Sequence, residues 1–296
     1  MKQTRMYTAL LLSLVLCTGP AAAAEAATAE QEKGITRSFS VGKGGELEVE
    51  ISGGSISVGG WDKDEVAVKV TGLDVEDQDK MEITQEGNTV RVRDESRGSS
   101  SGEVLVKVSV PSKFDLNLRT AGGDIDVQGP LSGRLQGSTS GGDIKLGALG
   151  GTLKMTTSGG AIEAKRFDGE FQVSTSGGDI HVGVVNGEAK VVTSGGDIHI
   201  EKSGQKLVAS TSGGDISIGD VGGDVKVATS GGDVHVGKVS GSATLSTAGG
   251  NIDLQGANGT VSASTSGGDL SLQGITGSIK GSTAGGNVNA SLTPAG

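Results

Sequence analysis

Apolar and polar residues alternate with a period of two along most of the chain, and the alternation itself recurs at a fixed distance. In the segment 179–196, Ile180 and Val182 alternate with polar or small residues, as in a strand with one buried face. After a short corner, Ala189 and Val191 mark a second alternating stretch. A Ser-Gly-Gly turn then closes the segment, so each copy predicts two short strands joined by two bends.

A double glycine marks the same bend in every copy. Its spacing is 19 residues once and 18 residues thereafter, without insertions. A fixed period of this size indicates a repeat architecture in which each copy buries its apolar face against its neighbours. The double glycines are Gly122-Gly123, Gly141-Gly142, Gly159-Gly160, Gly177-Gly178, Gly195-Gly196, Gly213-Gly214, Gly231-Gly232, Gly249-Gly250, Gly267-Gly268 and Gly285-Gly286.

Equivalent positions in successive copies carry like residues. The position of Ile180 is always Ile, Val or Leu, and the position of Thr193 is always Thr, expected to face inward. Like residues stack on like when parallel strands lie about 4.8 Å apart, whereas an antiparallel meander would pair unlike residues. We therefore predict an all-β fold, a parallel β-solenoid of about ten 18-residue coils.

The bend at the double glycine has two further features. Stacked backbones leave no room there for side chains, and the glycines are expected to adopt positive φ. The residue that follows is usually Asp, as at Asp197, and its carboxylate is expected to hydrogen-bond nearby backbone amides. Such capping is the simplest explanation for a column of stacked acidic side chains.

The first residues have the pattern of a secretory signal. Lys2 and Arg5 form a charged start, and an apolar run at Ala9–Leu16 is too short to span a membrane. A small-residue cleavage site follows at Ala22–Ala24. Cleavage there removes Cys17, the only cysteine, so no disulfide is expected. The mature chain is expected to have no transmembrane segment and to be periplasmic or at the cell surface.

Ahead of the regular array the chain is less periodic. Alternating segments such as Glu46–Ile51 and Val104–Val108 predict strands, but they do not follow the 18-residue period. This region is predicted to cap the N-terminal end of the solenoid, where strand amides would otherwise be unpaired. The predicted organisation is a signal peptide at 1–24, a disordered leader at 25–34, an irregular β-rich cap at 35–118, the solenoid at 119–292 and a tail at 293–296.

Three features carry a resemblance to a known family. They are a Gly-Trp-Asp at Trp61, the pair Val110-Pro111, and the SGGDI array that follows the irregular start. Together with a secretory signal, this arrangement resembles the bacterial “putative adhesin” β-strand-repeat family, a domain of unknown function. The resemblance covers about Ile35 to Leu292, and it brings no catalytic residues with it.

Composition narrows the possible functions. A formal net charge of −10 is unsuited to nucleic-acid binding. Aromatic residues are 2% of the chain, which leaves Trp61 as the one candidate platform for a carbohydrate. The unbroken intervals leave no long loop to build a catalytic cleft, and no nucleophile–base pair or phosphate loop stands out. We expect no enzymatic activity, no catalytic residues and no organic cofactor.

The outward face of the first strand carries a candidate cation site. All three histidines, His181, His199 and His235, occupy one outward column, two residues after the acidic column. Adjacent coils would bring Asp179 and His181 close to Asp197 and His199, which are possible ligands for a transition metal. The repeat lacks the pattern of calcium-binding rolls. A divalent cation and simple capping are therefore the two alternatives for this face.

The last coil is a candidate contact surface. After Leu292 only four residues remain, too few to cover the final strand, so its edge is expected to be open to another chain. The predicted contact residues are Ser282, Val288 and Asn289. Their partner would be a second copy of the chain or an unidentified component of the envelope or surface.

These observations favour a non-enzymatic, adhesin-like protein, a rigid rod with repetitive polar faces for adhesion or assembly at the cell envelope. The alternative is a periplasmic protein that binds metal or another cation through the Asp/His face. Titration with Zn²⁺, Ni²⁺ and Ca²⁺ would separate the two functions.

Overall fold

The structure is a computed structural model that describes residues 34–73, 78–94 and 104–293. The predicted signal peptide at 1–24, nearly all of the predicted leader and three of the four residues of the predicted tail lie outside the described residues. Within the described ranges, no helix has the length and apolar character needed to cross a membrane.

The described residues are almost entirely β-structure, with one 3-10 turn at Gln78–Lys80. The strands are β1 (Gly34–Ser40), β2 (Glu46–Ile51), β3 (Ser55–Trp61), β4 (Glu65–Thr71), β5 (Met81–Glu86), β6 (Thr89–Asp94), β7 (Leu105–Pro111), β8 (Asp115–Thr120), β9 (Ile125–Gln128), β10 (Leu131–Ser138), β11 (Ile144–Thr156), β12 (Ile162–Ser174), β13 (Ile180–Val185), β14 (Ala189–Val192), β15 (Ile198–Ser203), β16 (Leu207–Ser210), β17 (Ile216–Val221), β18 (Val225–Ala228), β19 (Val234–Val239), β20 (Ala243–Ser246), β21 (Ile252–Ala257), β22 (Val261–Ser264), β23 (Leu270–Ile275), β24 (Ile279–Ser282) and β25 (Val288–Leu292).

The strands stack in two ladders that enclose a shared core. Ladder A runs β7–β3–β9–β11–β12–β13–β15–β17–β19–β21–β23–β25, and every pair in it is parallel. Ladder B runs β6–β2–β8–β10–β11–β12–β14–β16–β18–β20–β22–β24, again with parallel pairs. The long strands β11 and β12 continue around a bend and belong to both ladders.

Like residues pair with like in both ladders. Ile180 pairs with Ile162 on one side and Ile198 on the other. In ladder B, Val191 pairs with the inward residues Val173 and Ala209. This register confirms the predicted parallel solenoid with 18-residue coils and excludes an antiparallel meander for the array.

The core consists of the inward residues of the two ladders. In one coil these include Ile180, Val182 and Ala189, each at most 5% exposed. Phe167 and Phe171 are each 1% exposed, and their ring centres lie 5.5 Å apart. Burying one large aliphatic side chain contributes about 1.5–3 kcal/mol. A coil gains this stabilisation only by stacking, because its apolar face is covered by its neighbours.

The N-terminal coils are stacked out of chain order. The coil of β2 and β3 lies between the coil of β6 and β7 and the coil of β8 and β9. Its double glycine belongs to the same corner as the later ones, because Thr120 Oγ1 donates to the Gly54 carbonyl at 2.8 Å. This irregular region therefore contributes strands to both ladders of the solenoid.

Antiparallel strands extend the N-terminal end of both ladders. β4 pairs antiparallel with β7, and β1 with β4, at the end of ladder A. β5 pairs antiparallel with β6 across the Gly87-Asn88 turn, at the end of ladder B. Val66 and Ile83 of these added strands are buried. The predicted boundary between the cap and the solenoid, after Leu118, falls inside β8, where ladder B is continuous. That boundary therefore rests on the repeat period alone.

The last described coil is much more exposed than the rest. Every residue of β25 is exposed, including Val288 at 49% and Leu292 at 66%. β24 pairs with β22 and β25 with β23. Among the described strands, none pairs with the other edge of either.

Candidate functional site

A buried threonine holds the double-glycine bend of each coil. Thr193 Oγ1 donates to the Gly178 carbonyl of the preceding coil at 2.9 Å and accepts from the Gly196 amide of its own coil at 3.3 Å. Thr193 is 3% exposed, so the predicted inward position is confirmed. Equivalent bonds are made by Thr120, Thr139, Thr157, Thr175, Thr211, Thr229, Thr247, Thr265 and Thr283.

Close backbone approach explains the second glycine of the bend. A Cβ at Gly196 would lie 2.2 Å from the Gly178 carbonyl oxygen, whereas one at Gly195 would lie 3.4 Å from the Gly177 oxygen. No double glycine of the array has a left-handed φ; Gly54, before the array, has one of 92°. The expectation of positive φ is therefore wrong for the array, because stacking alone excludes a side chain there.

The acidic column caps amides between coils. Asp179 Oδ1 accepts from the Asp197 amide, and Asp197 Oδ1 from the Asp215 amide, each at 2.8 Å. Asn251 Oδ1 makes the same bond to the Asp269 amide at 2.8 Å, so a charge is not required. The expected capping is confirmed, with its partner amide in the next coil because parallel stacking brings that amide within reach.

Two histidines stack on this outward face. His181 and His199 are in register on β13 and β15, with ring centres 4.7 Å apart and ring planes tilted by 31°. His181 is exposed and His199 half-buried. They border a shallow cleft of about 250 Å³. Its lining consists of Asp179, His181, Asp197, Ile198, His199, Asp215 and Ser217.

The four predicted metal ligands lie on one face of the solenoid, but the aspartates and the histidines make different contacts. The Oδ1 atoms of Asp179 and Asp197 are held by backbone amides. Neither imidazole of the pair His181 and His199 has a hydrogen-bond partner within the described ranges. In that part of the chain, no group of three or more His, Cys, Asp or Glu residues is arranged to hold a metal ion. The four-residue site stays a prediction.

The third histidine is in a different environment. His235 Nδ1 lies 2.9 Å from Asp253 Oδ2, its neighbour on the next rung. Ser217 separates it from His199 in the column. The three histidines therefore comprise one stacked pair and one ring paired with a carboxylate.

Trp61 is half-buried at the end of β3. Its Nε1 donates to the Glu65 carbonyl at 2.8 Å, and Lys63 Nζ lies 4.7 Å from the ring centre, in cation–π contact. The ring borders a cleft of about 270 Å³ together with Lys43, Pro111 and other residues of that corner. The indole is fixed by these contacts, and the cation covers one of its faces.

Asp168 belongs to a polar cluster that the sequence analysis did not single out. The Asn186 amide donates to Asp168 Oδ1, and Arg166 Nη2 lies 3.4 Å from the same atom. These hydrogen bonds, that from Asn186 above all, lower the pKa of Asp168. Asp168 and Asn186 are 18 residues apart, so the repeat alignment could have paired them.

Arg91 links two strands of the cap. It lies 2.7 Å from both Glu48 and Glu86, and its hydrogen bonds to these carboxylates raise its pKa. Glu48 belongs to the coil that is stacked out of chain order. No spacing in the sequence could have predicted the ion pair between Arg91 and Glu48.

The predicted contact residues lie together on the last described coil. Ser282 is at the end of β24, and Val288 and Asn289 begin β25. All three are exposed. Their role in binding a partner stays a prediction.

Three solved structures resemble this chain at low sequence identity. A “putative adhesin” from Bacteroides fragilis is 14% identical over 87% of this chain and 97% of its own, with a TM-score of 0.33. A “putative lipid binding protein” from Parabacteroides distasonis is 16% identical over 86% and 96%, with a TM-score of 0.40. A “putative adhesin” from the same organism is 17% identical over 87% and 97%, with a TM-score of 0.37. Likeness at this level carries no argument about function.

No curated protein matches the chain. The profile of the Toastrack DUF4097 family matches residues 44–218, which is more than half of the sequence. The match begins just before β2 and ends within β17, so it includes the out-of-order coils and part of the array. The predicted resemblance to a repeat family of unknown function is confirmed: the chain belongs to the Toastrack DUF4097 family.

Proposed function

We propose that the protein is a non-enzymatic, adhesin-like scaffold of the cell envelope or surface. The coils of the array follow each other without inserted loops, and each is tied to the next by backbone ladders and by a threonine side chain, and most also by an Asp or Asn side chain. Such a stack is stiff, because bending it would break bonds in many coils at once. A stiff rod holds a contact surface at a fixed distance from its other end.

The exposed last coil is the observation that carries this proposal. β24 and β25 each leave one edge unpaired among the described strands, and Val288 and Leu292 expose apolar surface beside that edge. At the other end of the rod, antiparallel strands extend the ladders. Adding a strand to an open edge is a recurrent mode of protein recognition.

The charge of the last coil fits the same role. Its outward residues on β24 are Ser282 and Lys280, and those of β25 include Asn289. Lys280 is the only charged residue of these two strands. Charged side chains on an edge strand oppose pairing with another chain, so their scarcity leaves this edge permissive. The partner is a second copy of the chain or an envelope component.

A double variant at the edge tests the proposal. Ser282→Lys adds a charge at β24, and Val288→Pro removes a backbone donor from β25. We expect the parent protein to self-associate with rising concentration in analytical ultracentrifugation, or to bind isolated envelope material. The double variant should lose either property.

Ser264→Lys is the matched control, since Ser264 pairs with Ser282 one rung further inside the rod. It adds the same charge to the same column and leaves the edge unchanged, so it should behave like the parent. A parent that stays monomeric throughout, and binds envelope material no better than the double variant, contradicts the proposal.

The location of the protein is part of the proposal. Fractionation of the native host, with detection by an antibody against the array, should place the protein in the periplasmic or surface fraction. A chain that is found in the cytoplasm at its full length contradicts an envelope scaffold.

A further inference from the structure

We propose that His181 and His199 form a two-imidazole binding site for a divalent transition-metal ion, with Zn²⁺ and Ni²⁺ as suitable ions. Both residues lie on neighbouring parallel strands, directly opposite one another in register. Their ring centres are 4.7 Å apart. This site is distinct from the open edge, so it stands or falls independently of the proposed scaffold function.

The geometry suits bidentate binding. Imidazole nitrogens bind Zn²⁺ at about 2.0–2.1 Å, so two nitrogens on one ion are about 3 Å apart. The two rings are already close and are tilted by 31°, so their nitrogens can converge through side-chain rotation alone. The backbone does not move, because ladder A fixes the two Cα atoms on adjacent rungs.

The two imidazoles are also uncommitted. Within the described ranges neither His181 nor His199 has a hydrogen-bond partner, whereas His235 is paired with Asp253 at 2.9 Å. Imidazole is a preferred ligand of Zn²⁺ and Ni²⁺, and two imidazoles leave the other positions on the ion to water. The site is therefore an open one.

The charges of the cleft favour a cation. The charged residues that line it besides the histidines are Asp179, Asp197 and Asp215. On the preceding rung, Glu163 pairs in register with His181 and adds another carboxylate to the column. The Oδ1 atoms of Asp179 and Asp197 accept hydrogen bonds from backbone amides, and the negative charge of these carboxylates attracts a cation to the cleft.

Zn²⁺ titration of the tag-free protein tests the site, because the chain has only three histidines and each gives its own ring signals in NMR. We expect one ion per chain, with the signals of His181 and His199 shifted and that of His235 unchanged. Calorimetry should show at least about tenfold weaker binding for His181→Gln and for His199→Gln, because each variant removes one arm of the chelate.

His235→Gln is the matched control, since His235 lies in the same column without a histidine neighbour. It should bind Zn²⁺ as the parent does. Ca²⁺, which prefers oxygen ligands, should leave the ring signals of the pair unchanged.

A gain of affinity provides the complementary test. Ser217 lies on the rung between His199 and His235, so Ser217→His adds a third imidazole beside the pair. We expect about tenfold tighter Zn²⁺ binding, because the added ligand is held at high effective concentration. Ser262→His places an imidazole between Thr244 and Lys280 in ladder B and should change nothing.

The proposal is overturned if the parent binds no Zn²⁺, or if the His181→Gln/His199→Gln double variant binds it as tightly as the parent. Equal losses of Zn²⁺ affinity for His235→Gln and His199→Gln would also overturn it, because binding would then not depend on the stacked pair. Circular dichroism of each variant confirms that the coils are intact.

Discussion

The two bends of each coil are built differently. At the double-glycine bend, every coil of the array repeats the same clamp, in which a threonine such as Thr193 bridges its own glycine amide and the carbonyl of the previous coil. At the opposite bend the backbone bonds also recur, as in Gly204 N to the Val185 carbonyl at 2.7 Å. Its side chains, however, change from coil to coil: the position of Asn186 is Gly in the next two coils.

This difference shows which bend adds a recurring side-chain bond to the backbone bonds between coils. A side-chain bond that recurs in every coil fixes the distance and register between neighbours at each step. The opposite bend tolerates varied residues because a backbone bond recurs there in successive coils, whereas its side-chain bonds, such as that between Asn186 and Asp168, differ from coil to coil. Regular side-chain clamps on one side and free variation on the other allow surface chemistry to differ between coils without loss of the fold.

The largest expected effect separates the two glycines of the bend. Gly196→Ala places a Cβ 2.2 Å from the Gly178 oxygen, so the coils must move apart. The free energy of unfolding should fall by an amount at the upper end of about 1–3 kcal/mol. Gly195→Ala meets the Gly177 oxygen at 3.4 Å, an ordinary contact, and should cost much less. Urea unfolding of the two variants compares them, and equal losses would contradict close approach as the cause.

Removing the threonine clamp should have the next largest effect. Thr193→Val keeps the shape but leaves the Gly178 carbonyl and the Gly196 amide without their partner, which costs about 1–3 kcal/mol. Thr193→Ser restores the hydroxyl and should recover most of the loss. Thr244→Val, at an exposed outward position, is the control. Thermal unfolding measures the stability of these variants. If Thr193→Val is no less stable than Thr244→Val, the threonine clamp does not contribute to stability.

Filling a gap in the acidic column should have a smaller, stabilising effect. Ala161 is the one residue of the array's column without an acceptor side chain, so it cannot cap the Asp179 amide. Ala161→Asn should stabilise by about 0.5–1 kcal/mol, the net value of one hydrogen bond. Ala161→Asp should gain less, because stacked carboxylates about 4.8 Å apart repel one another. Hydrogen exchange of the Asp179 amide measures the cap directly, and unchanged exchange in both variants would rule it out.

The smallest effect is expected at the opposite bend. The lowered pKa of Asp168 means that its contribution to stability is present above the unfolded pKa of about 3.9 and is lost as pH falls through the folded value. Asp168→Asn should therefore be less stable than the parent at pH 6 and converge with it in strong acid. Thermal unfolding from pH 7 to pH 2 checks this, and a constant difference over that range would contradict the linkage.

The sequence predicted most of the array because the same physical environment recurs every 18 residues. Inward positions such as Ile180 and Thr193 are recognisable from one aligned column each. The outward pairing of His181 with His199 also follows from the period, and the structure places the two in register. The contacts of the predicted metal ligands Asp179 and Asp197 were less predictable. Their hydrogen bonds depend on the exact position of the backbone amide in the next coil relative to each carboxylate.

The sequence alone determined the strand period, the inward and outward columns, and the need for a small residue at the bend. Only the tertiary structure decided that the coil of β2 and β3 is placed between two later coils, that close contact rather than φ requires the glycine, and that Arg91 pairs with Glu48. The physical reason is range. The repeat period identifies contacts only between residues that lie one period apart in the sequence. The stacking of coils out of chain order depends instead on which strand edges remain unpaired when the chain folds.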